Sequence, residues 1–121
     1  MAVRCWPRST SPGFWNDKIS DIRNPSPGQL WVFVDEHPDS INDGWMITDV
    51  TDPSHFTDLP AHYHDGACGF CYADGHAEVH RWLEGSTKVP VRKESRNGFS
   101  VGKDRRDTAW LIAHSTALRA K

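Results

Sequence analysis

Two stretches of the chain carry the hydrophobic pattern of β-strands. In residues 29–35 apolar side chains fill both faces of a two-residue period, as in a strand covered on both sides, so this segment predicts the central strand of a sheet. Residues 45–50 predict a second strand. Residues 84–106 are polar and punctuated by glycine, which predicts a long loop with one short strand near residues 89–91.

A β-hairpin is predicted at about residues 67–83. Apolar and polar residues alternate on either side of the dipeptide Asp74-Gly75, which is typical of a two-residue type I′ turn. In that register Phe70 pairs with Val79. One face of the hairpin then carries Phe70, Tyr72, Ala77 and Val79, and the other carries Gly69, Cys71, His76, Glu78 and His80.

The two ends of the chain differ in their patterns. Asp107 is suited to cap a short C-terminal helix in which Trp110 and Leu111 pack inward. Residues 1–17 lack apolar periodicity and predict a poorly ordered tail, so residues 18–121 are expected to form the folded domain.

Length and composition limit the number of domains and the fold classes that the chain can adopt. A chain of 121 residues, 37% of them hydrophobic, suits one core and excludes large multilayer enzyme folds. The elements predict an α+β fold: a small single domain, mainly antiparallel β-sheet, with one hairpin and a short C-terminal helix. No stretch approaches the ~20 apolar residues of a membrane span. Residues 1–10 also lack the apolar region of a secretory signal, so we expect no membrane span and no targeting signal in this sequence.

The formal net charge of −2 conceals two oppositely charged segments. Residues 35–65, here called the acidic segment, contain eight Asp or Glu and no Lys or Arg. Residues 88–106, the basic segment, contain seven Lys or Arg and two acids. Such segments orient partners or pair within one molecule. Because Phe99 is the one aromatic residue of the basic segment, we expect no nucleic-acid partner.

Cys68 and Cys71 have the spacing of zinc and thioredoxin-like sites. In a strand, however, residues three apart face opposite sides of the sheet about 10 Å apart. One metal ion cannot then take both sulfurs, and a disulfide between them is excluded. We expect two packed free thiols.

His62 and His64 are candidate metal ligands. Alternate residues of a strand aim two imidazoles at one ion, with His76 or Asp74 as the third ligand. Half-exposed histidines that make hydrogen bonds are the ordinary alternative.

A loop rich in oxygen ligands is a candidate calcium site. It contains Asp35, Glu36, Asp39, Asn42 and Asp43, and it ends at Gly44. Carboxylate and amide oxygens are the ligands that Ca²⁺ prefers, although the EF-hand spacing is absent. Local turns and solvated carboxylates explain the same residues.

One longer pattern resembles a known family. His64, nine intervening residues, and then Asp74, Gly75 and His76 resemble the His-x9-Asp-Gly signature of prepilin-like proteins, also described as a prepilin-type processing-associated domain. Residues 31–44, 59–61 and 107–111 are similar to the same family, so the resemblance covers about residues 18–116. The prepilin-like family is itself similar to the major pseudopilins.

The resemblance implies a pilin-like globular head that carries no catalytic residues. It implies assembly with other pseudopilin subunits into a type II secretion or type IV pilus-like filament, in the periplasm or at the cell surface. Such proteins begin with a basic leader and an apolar helix. This chain has neither, so we interpret it as the pseudopilin-like C-terminal head, either as a head domain alone or as a truncated protein.

We therefore expect a non-catalytic structural head domain. Its acidic segment would face the basic segment of the next subunit. The alternative is a small metal-binding module or metal-dependent enzyme that uses His62, His64 and His76.

Overall fold

A computed structural model describes residues 18–96 and 98–115 and, for the backbone alone, residues 2–5. Its regular elements are β1 (Ala2–Cys5), β2 (Trp31–Val34), β3 (Trp45–Thr48), β4 (His55–Phe56), β5 (Ala67–Tyr72), β6 (Ala77–Arg81), β7 (Phe99–Ser100) and α1 (Arg106–Ala113), with a 3₁₀ turn at Ile19–Asp21. In this part of the chain, no helix has both the length and the apolar character needed to cross a membrane.

The strands form a large and a small sheet. The large sheet has the order β3-β1-β2-β5-β6, in which only β1 and β3 run parallel, and the small sheet pairs β4 with β7. The predicted α+β class with a mainly antiparallel sheet is confirmed. The central position of β2 and the presence of β3 are also confirmed.

The prediction that β2 is covered on both faces is wrong. The pairing of β2 with β5 shifts between Trp31 and Phe33, which is the sign of a β-bulge. The bulge interrupts the alternation of side chains, so Trp31 and Val34 are buried whereas Phe33 is 52% exposed.

Two further local predictions have different outcomes. Ala2–Cys5 form β1 inside the large sheet, whereas residues 6–17 of the predicted tail lie outside the described residues. The predicted strand near residues 89–91 is wrong, because the Val89 carbonyl accepts hydrogen bonds from imidazole groups instead of a neighbouring strand.

β5 and β6 form the predicted hairpin, but its turn is of another type. The Gly75 N–H donates to the Tyr72 carbonyl over 2.9 Å, and the Tyr72 N–H donates to the His76 carbonyl over 2.9 Å. Gly75 has a φ of 93°. This is a three-residue loop, a β-turn followed by a left-handed glycine, and not a two-residue type I′ loop.

The longer loop shifts the strand pairing by one residue. Phe70 lies opposite Glu78 and not opposite Val79. Because side chains alternate along a strand, this shift turns the whole of β6 over. Ala77 and Val79 are exposed, so their predicted place beside Phe70 is wrong, and His80 instead contacts the Phe70 ring.

The core is an aromatic cluster between the large sheet and α1. The Phe70 ring meets Trp31, Trp82 and Trp110 edge to face, with centroid distances of 5.9, 5.9 and 5.1 Å. Trp31 is 1% exposed, and its indole N–H donates to Ser115 Oγ over 3.0 Å. The buried ring therefore keeps a hydrogen-bond partner.

α1 is present as predicted, but Asp107 is not its cap. The buried Asp107 carboxylate accepts hydrogen bonds from the N–H groups of Leu83 (3.0 Å) and Glu84 (2.9 Å) and from the hydroxyl of Thr87 (2.6 Å). It thereby ties the first turn of the helix to the segment that follows β6. Leu111 packs inward as predicted and is 1% exposed.

Candidate functional site

The signature residues His64, Asp74, Gly75 and His76 flank strand β5. Before the strand, His64 and Ala67 exchange two backbone hydrogen bonds of 3.2 Å across Asp65 and Gly66. Both of these central residues have positive φ, 52° and 79°, which is the arrangement of a type I′ loop. The turn type predicted for Asp74-Gly75 thus occurs at the neighbouring Asp-Gly dipeptide.

The nine-residue spacing therefore has a structural meaning. It covers the rest of the turn after His64, the six residues of β5, and the first residue of the turn at Asp74 and Gly75. In this chain the spacing spans one strand with a turn at each end, and the signature residues stand at the two turns.

His76 is held between two carboxylates. Its Nδ1 bonds to Asp74, its Nε2 lies 3.3 Å from Glu78 Oε1, and its ring stacks on Tyr72 with a centroid distance of 4.5 Å. The hydrogen bond with Asp74 raises the pKa of His76. Burial, with a smaller effect of Glu78, raises the pKa of Tyr72 to about 12. Both imidazole nitrogens are thus engaged within the hairpin.

His62 has a structural partner elsewhere. Its Nε2 lies 2.7 Å from the Val89 carbonyl, and His37 Nε2 lies 2.7 Å from the same oxygen. His37 Nδ1 accepts a hydrogen bond from the Asp39 N–H, so its proton is on Nε2 and is donated to Val89. These two rings fix the start of the basic segment.

The predicted metal ligands are not gathered at one point. His62 bonds to Val89, His76 bonds to Asp74 and Glu78, and His64 is exposed in the turn before β5. Among residues 18–96 and 98–115, no group of three or more His, Cys, Asp or Glu side chains is placed to hold a metal ion.

The candidate calcium loop divides into inward and outward side chains. Asp35, Asn42 and Asp43 are exposed, whereas Glu36 and Asp39 are buried. Asp43 accepts a hydrogen bond of 2.8 Å from the Trp45 N–H, the local turn that the sequence offered as the alternative.

Asp39 anchors the basic segment. Its carboxylate accepts hydrogen bonds from the N–H groups of Arg92 and Lys93, each 2.9 Å, and from Arg96 Nη2 at 2.8 Å. These bonds, the Arg92 N–H first, hold the pKa of Asp39 at about 2. The Asp39 carbonyl also accepts the Arg96 N–H. The acidic and basic segments thus meet within one molecule at this point.

Glu36 is also a buried carboxyl group, but its pKa is shifted in the direction opposite to that of Asp39. It is 4% exposed, Ser40 Oγ donates to its Oε1 over 2.8 Å, and its Oε2 has no hydrogen-bond partner in the described part of the chain. Burial raises the pKa of Glu36 to about 7. An uncharged carboxyl is therefore a substantial species at neutral pH.

The two cysteines of the hairpin lie apart, as predicted. Both are free; Cys68 is buried and Cys71 is exposed. Burial raises the pKa of Cys68 to about 12. The expectation of two packed thiols is wrong for Cys71, which lies on the open face of the sheet because the alternation along β5 turns it away from Phe70.

That open face, which carries Phe33, Cys71 and Val79, is exposed and partly apolar. A shallow depression of about 330 Å³ runs across it, lined among others by Phe33, Gly69, Cys71, Ala77 and Val79. Phe33 and Val79 are 52% and 65% exposed. Such a surface suits contact between proteins better than enclosure of a small molecule.

The anchoring roles of His37, Asp39 and Asp107 leave no signal in the local sequence. Asp39 and its partner Arg96 are 57 residues apart, and no local pattern signals such a contact. The proximity of Asp107 to a helix start signalled only a cap.

No family model matches the chain, and no match was found among curated proteins or solved structures.

Proposed function

We propose that the chain is a non-catalytic structural head domain of a pseudopilin-like protein in a type II secretion or type IV pilus-like filament, located in the periplasm or at the cell surface. The observation that carries the proposal is the position of the His-x9-Asp-Gly signature on β5 and its two turns. In that position the signature residues stand at the turns that flank β5, and the proposed function follows from the resemblance to the family.

The use of the polar side chains supports a structural role. Asp39, Asp107 and His62 each bond to the backbone of a distant segment, so these side chains hold loops in place. The imidazole of His76 is engaged on both nitrogens. None of these groups lines the depression on the open face of the sheet.

The exposed charges provide the contact between subunits. Asp35, Asp43 and Asp65 of the acidic segment are exposed, and so are Lys88, Lys93 and Lys103 of the basic segment. The acidic segment of one subunit faces the basic segment of the next, a heterologous contact that propagates along a filament. Glu36 and Asp39 take no part because they are buried.

Zero-length cross-linking of filaments tests this contact. Filaments sheared from producing cells are treated with a carbodiimide, which joins lysine amines to carboxylates only where they touch. The gel should show a ladder of covalent multimers. Peptide mass spectrometry should find links between the exposed aspartates and the exposed lysines in the multimer bands and not in the monomer band.

A matched pair of variants controls for cross-linking without contact. Lys103→Gln should remove its own link and weaken the ladder, whereas Lys18→Gln, which lies outside both segments, should leave the ladder unchanged. Multimers joined through other regions would refute the contact. Stoichiometric zinc in untagged protein would favour the metal-dependent alternative.

A further inference from the structure

The two edge strands of the large sheet differ in whether their outward-facing backbone groups are hydrogen-bonded. At the β3 edge, the Ile47 N–H donates to Asp58 Oδ2 over 2.7 Å, and the Asp58 N–H donates to the Ile47 carbonyl over 3.2 Å. Both outward-facing groups of Ile47 are therefore occupied by the chain itself. Native sheets commonly protect an edge in this way, since an open edge pairs with other strands.

The β6 edge has no such cover among the described residues. Toward β5, the Trp82 N–H donates to the Gly66 carbonyl and the Tyr72 N–H donates to the His76 carbonyl. Since the direction of these groups alternates along an antiparallel strand, the even-numbered residues of β6 face β5. The N–H and C=O groups of the odd-numbered residues, Ala77, Val79 and Arg81, point away from the sheet.

We propose that β6 pairs antiparallel with β6 of a second copy of this chain, around a two-fold axis at Val79. The three outward-facing residues of each strand then exchange backbone hydrogen bonds, Val79 with Val79 and Ala77 with Arg81. The two large sheets become continuous, and the two Val79 side chains meet on the open face beside Cys71 and Phe33. This addition of a strand to a sheet edge is a common mode of recognition.

The side-chain charges of β6 select this register. A two-fold axis at Glu78 also satisfies the direction of the backbone groups, but it sets the two Glu78 carboxylates directly opposite each other, which is destabilising. An axis at His80 leaves Ala77 unpaired. With the axis at Val79, Glu78 lies opposite His80 of the second copy, so no like charges face each other and all three outward residues are used.

The pairing goes beyond the proposed filament function and uses a different surface. It is isologous and closes at two subunits, whereas the contact between charged segments is heterologous and propagates. β6 also lies outside the acidic and basic segments. Failure of one contact therefore leaves the other to be judged separately.

Sedimentation of the untagged chain over a range of concentrations tests the proposal. We expect a reversible monomer–dimer equilibrium. Val79→Lys places two ammonium groups on the axis and should weaken the dimer at least about tenfold. Val79 is 65% exposed, so the variant monomer should fold normally. The matched control Val91→Lys, at a valine that is 46% exposed outside the sheet, should dimerise like the parent.

Disulfide trapping tests the axis itself. In a chain with Cys5→Ser and Cys71→Ser, Val79→Cys brings two cysteines into a hydrogen-bonded pair with Cα atoms about 5.5 Å apart, within reach of a disulfide. We expect a covalent dimer and no larger species, and none with Val91→Cys. A chain that stays monomeric at every concentration, equal effects of both lysine variants, or absence of the Val79→Cys dimer would overturn the proposal.

Discussion

Arg96 Nη2 and Asp39 Oδ2 lie 2.8 Å apart, although 57 residues separate them in the sequence. The Asp39 side chain is fully buried, whereas the Arg96 side chain is 27% exposed. With the N–H groups of Arg92 and Lys93, the guanidinium completes a ring of donors around one carboxylate. The acidic and basic segments are thus joined by Asp39, a residue that the sequence predicts as a candidate calcium ligand.

Replacement of Asp39 should destabilise the fold. Asp39→Ala leaves two backbone N–H groups and a guanidinium without their acceptor, so we expect the midpoint of urea unfolding to fall by about 1 M or more. Glu94→Ala is the control, because it removes an exposed carboxylate of the same loop. Equal midpoints for the two variants would contradict the anchoring role.

Glu36 should make the protein less stable as the pH rises. Its pKa is about 7 in the folded chain, against 4.5 as the ordinary value, so between these values the folded state holds a proton that the unfolded state has released. The free energy of unfolding therefore falls from about pH 4.5 and has lost its full amount above pH 7.

The comparison with Glu36→Gln isolates this effect. The variant cannot ionise, so the difference in unfolding free energy between parent and variant should change by ~3 kcal/mol in favour of the variant between pH 4.5 and pH 8.5. Glu94→Gln, at an exposed glutamate, provides the matched control and should show no such pH dependence. A constant difference for Glu36→Gln would mean that the carboxyl group is ionised in the folded chain.

Replacement of Gly75 by a β-branched residue should lower the free energy of unfolding. Its φ is 93°, yet nothing lies within 4 Å of the position that a Cβ would take, so the cost of Gly75→Val is a cost of backbone conformation alone. We expect a loss of about 1–2 kcal/mol in thermal or urea unfolding. Gly44→Val also enters open space, without a positive φ, and should be nearly neutral. Similar losses for both would remove the assignment of the turn.

Cys71 should react with thiol reagents in the native protein, and Cys68 should not. Cys68 is 1% exposed, and burial raises the pKa of its thiol to about 12, so little thiolate is available. In a Cys5→Ser background, iodoacetamide should label one thiol before unfolding and two afterwards. Cys71→Ser should abolish the native reaction. Native labelling of Cys68 would contradict the packing of β5.

Local patterns predicted the elements well and their geometry less well. The alternation around Asp74 and Gly75 located the hairpin, but an Asp-Gly dipeptide is compatible with both a two-residue and a three-residue loop. The three-residue loop puts Trp82 on the same face of the sheet as Phe70, with ring centroids 5.9 Å apart, whereas a two-residue loop would turn Trp82 to the opposite face. One residue of difference in the loop then reverses the faces of β6.

The candidate sites were predicted least well because their partners are distant. His62 and His37 share the Val89 carbonyl, and Asp107 bonds to Leu83 and Glu84; none of these pairs leaves a periodic or motif-like trace in the sequence. A histidine or aspartate that closes a long loop can have the same neighbouring residues in the sequence as one that binds a metal. Only the fold distinguishes the two.

Immunogold electron microscopy of filaments sheared from producing cells tests whether this chain is a filament subunit. We expect gold particles along the length of the filaments, since the chain is proposed as a repeated structural subunit. Protein found wholly outside the filament fraction, with the filaments unlabelled, would contradict it.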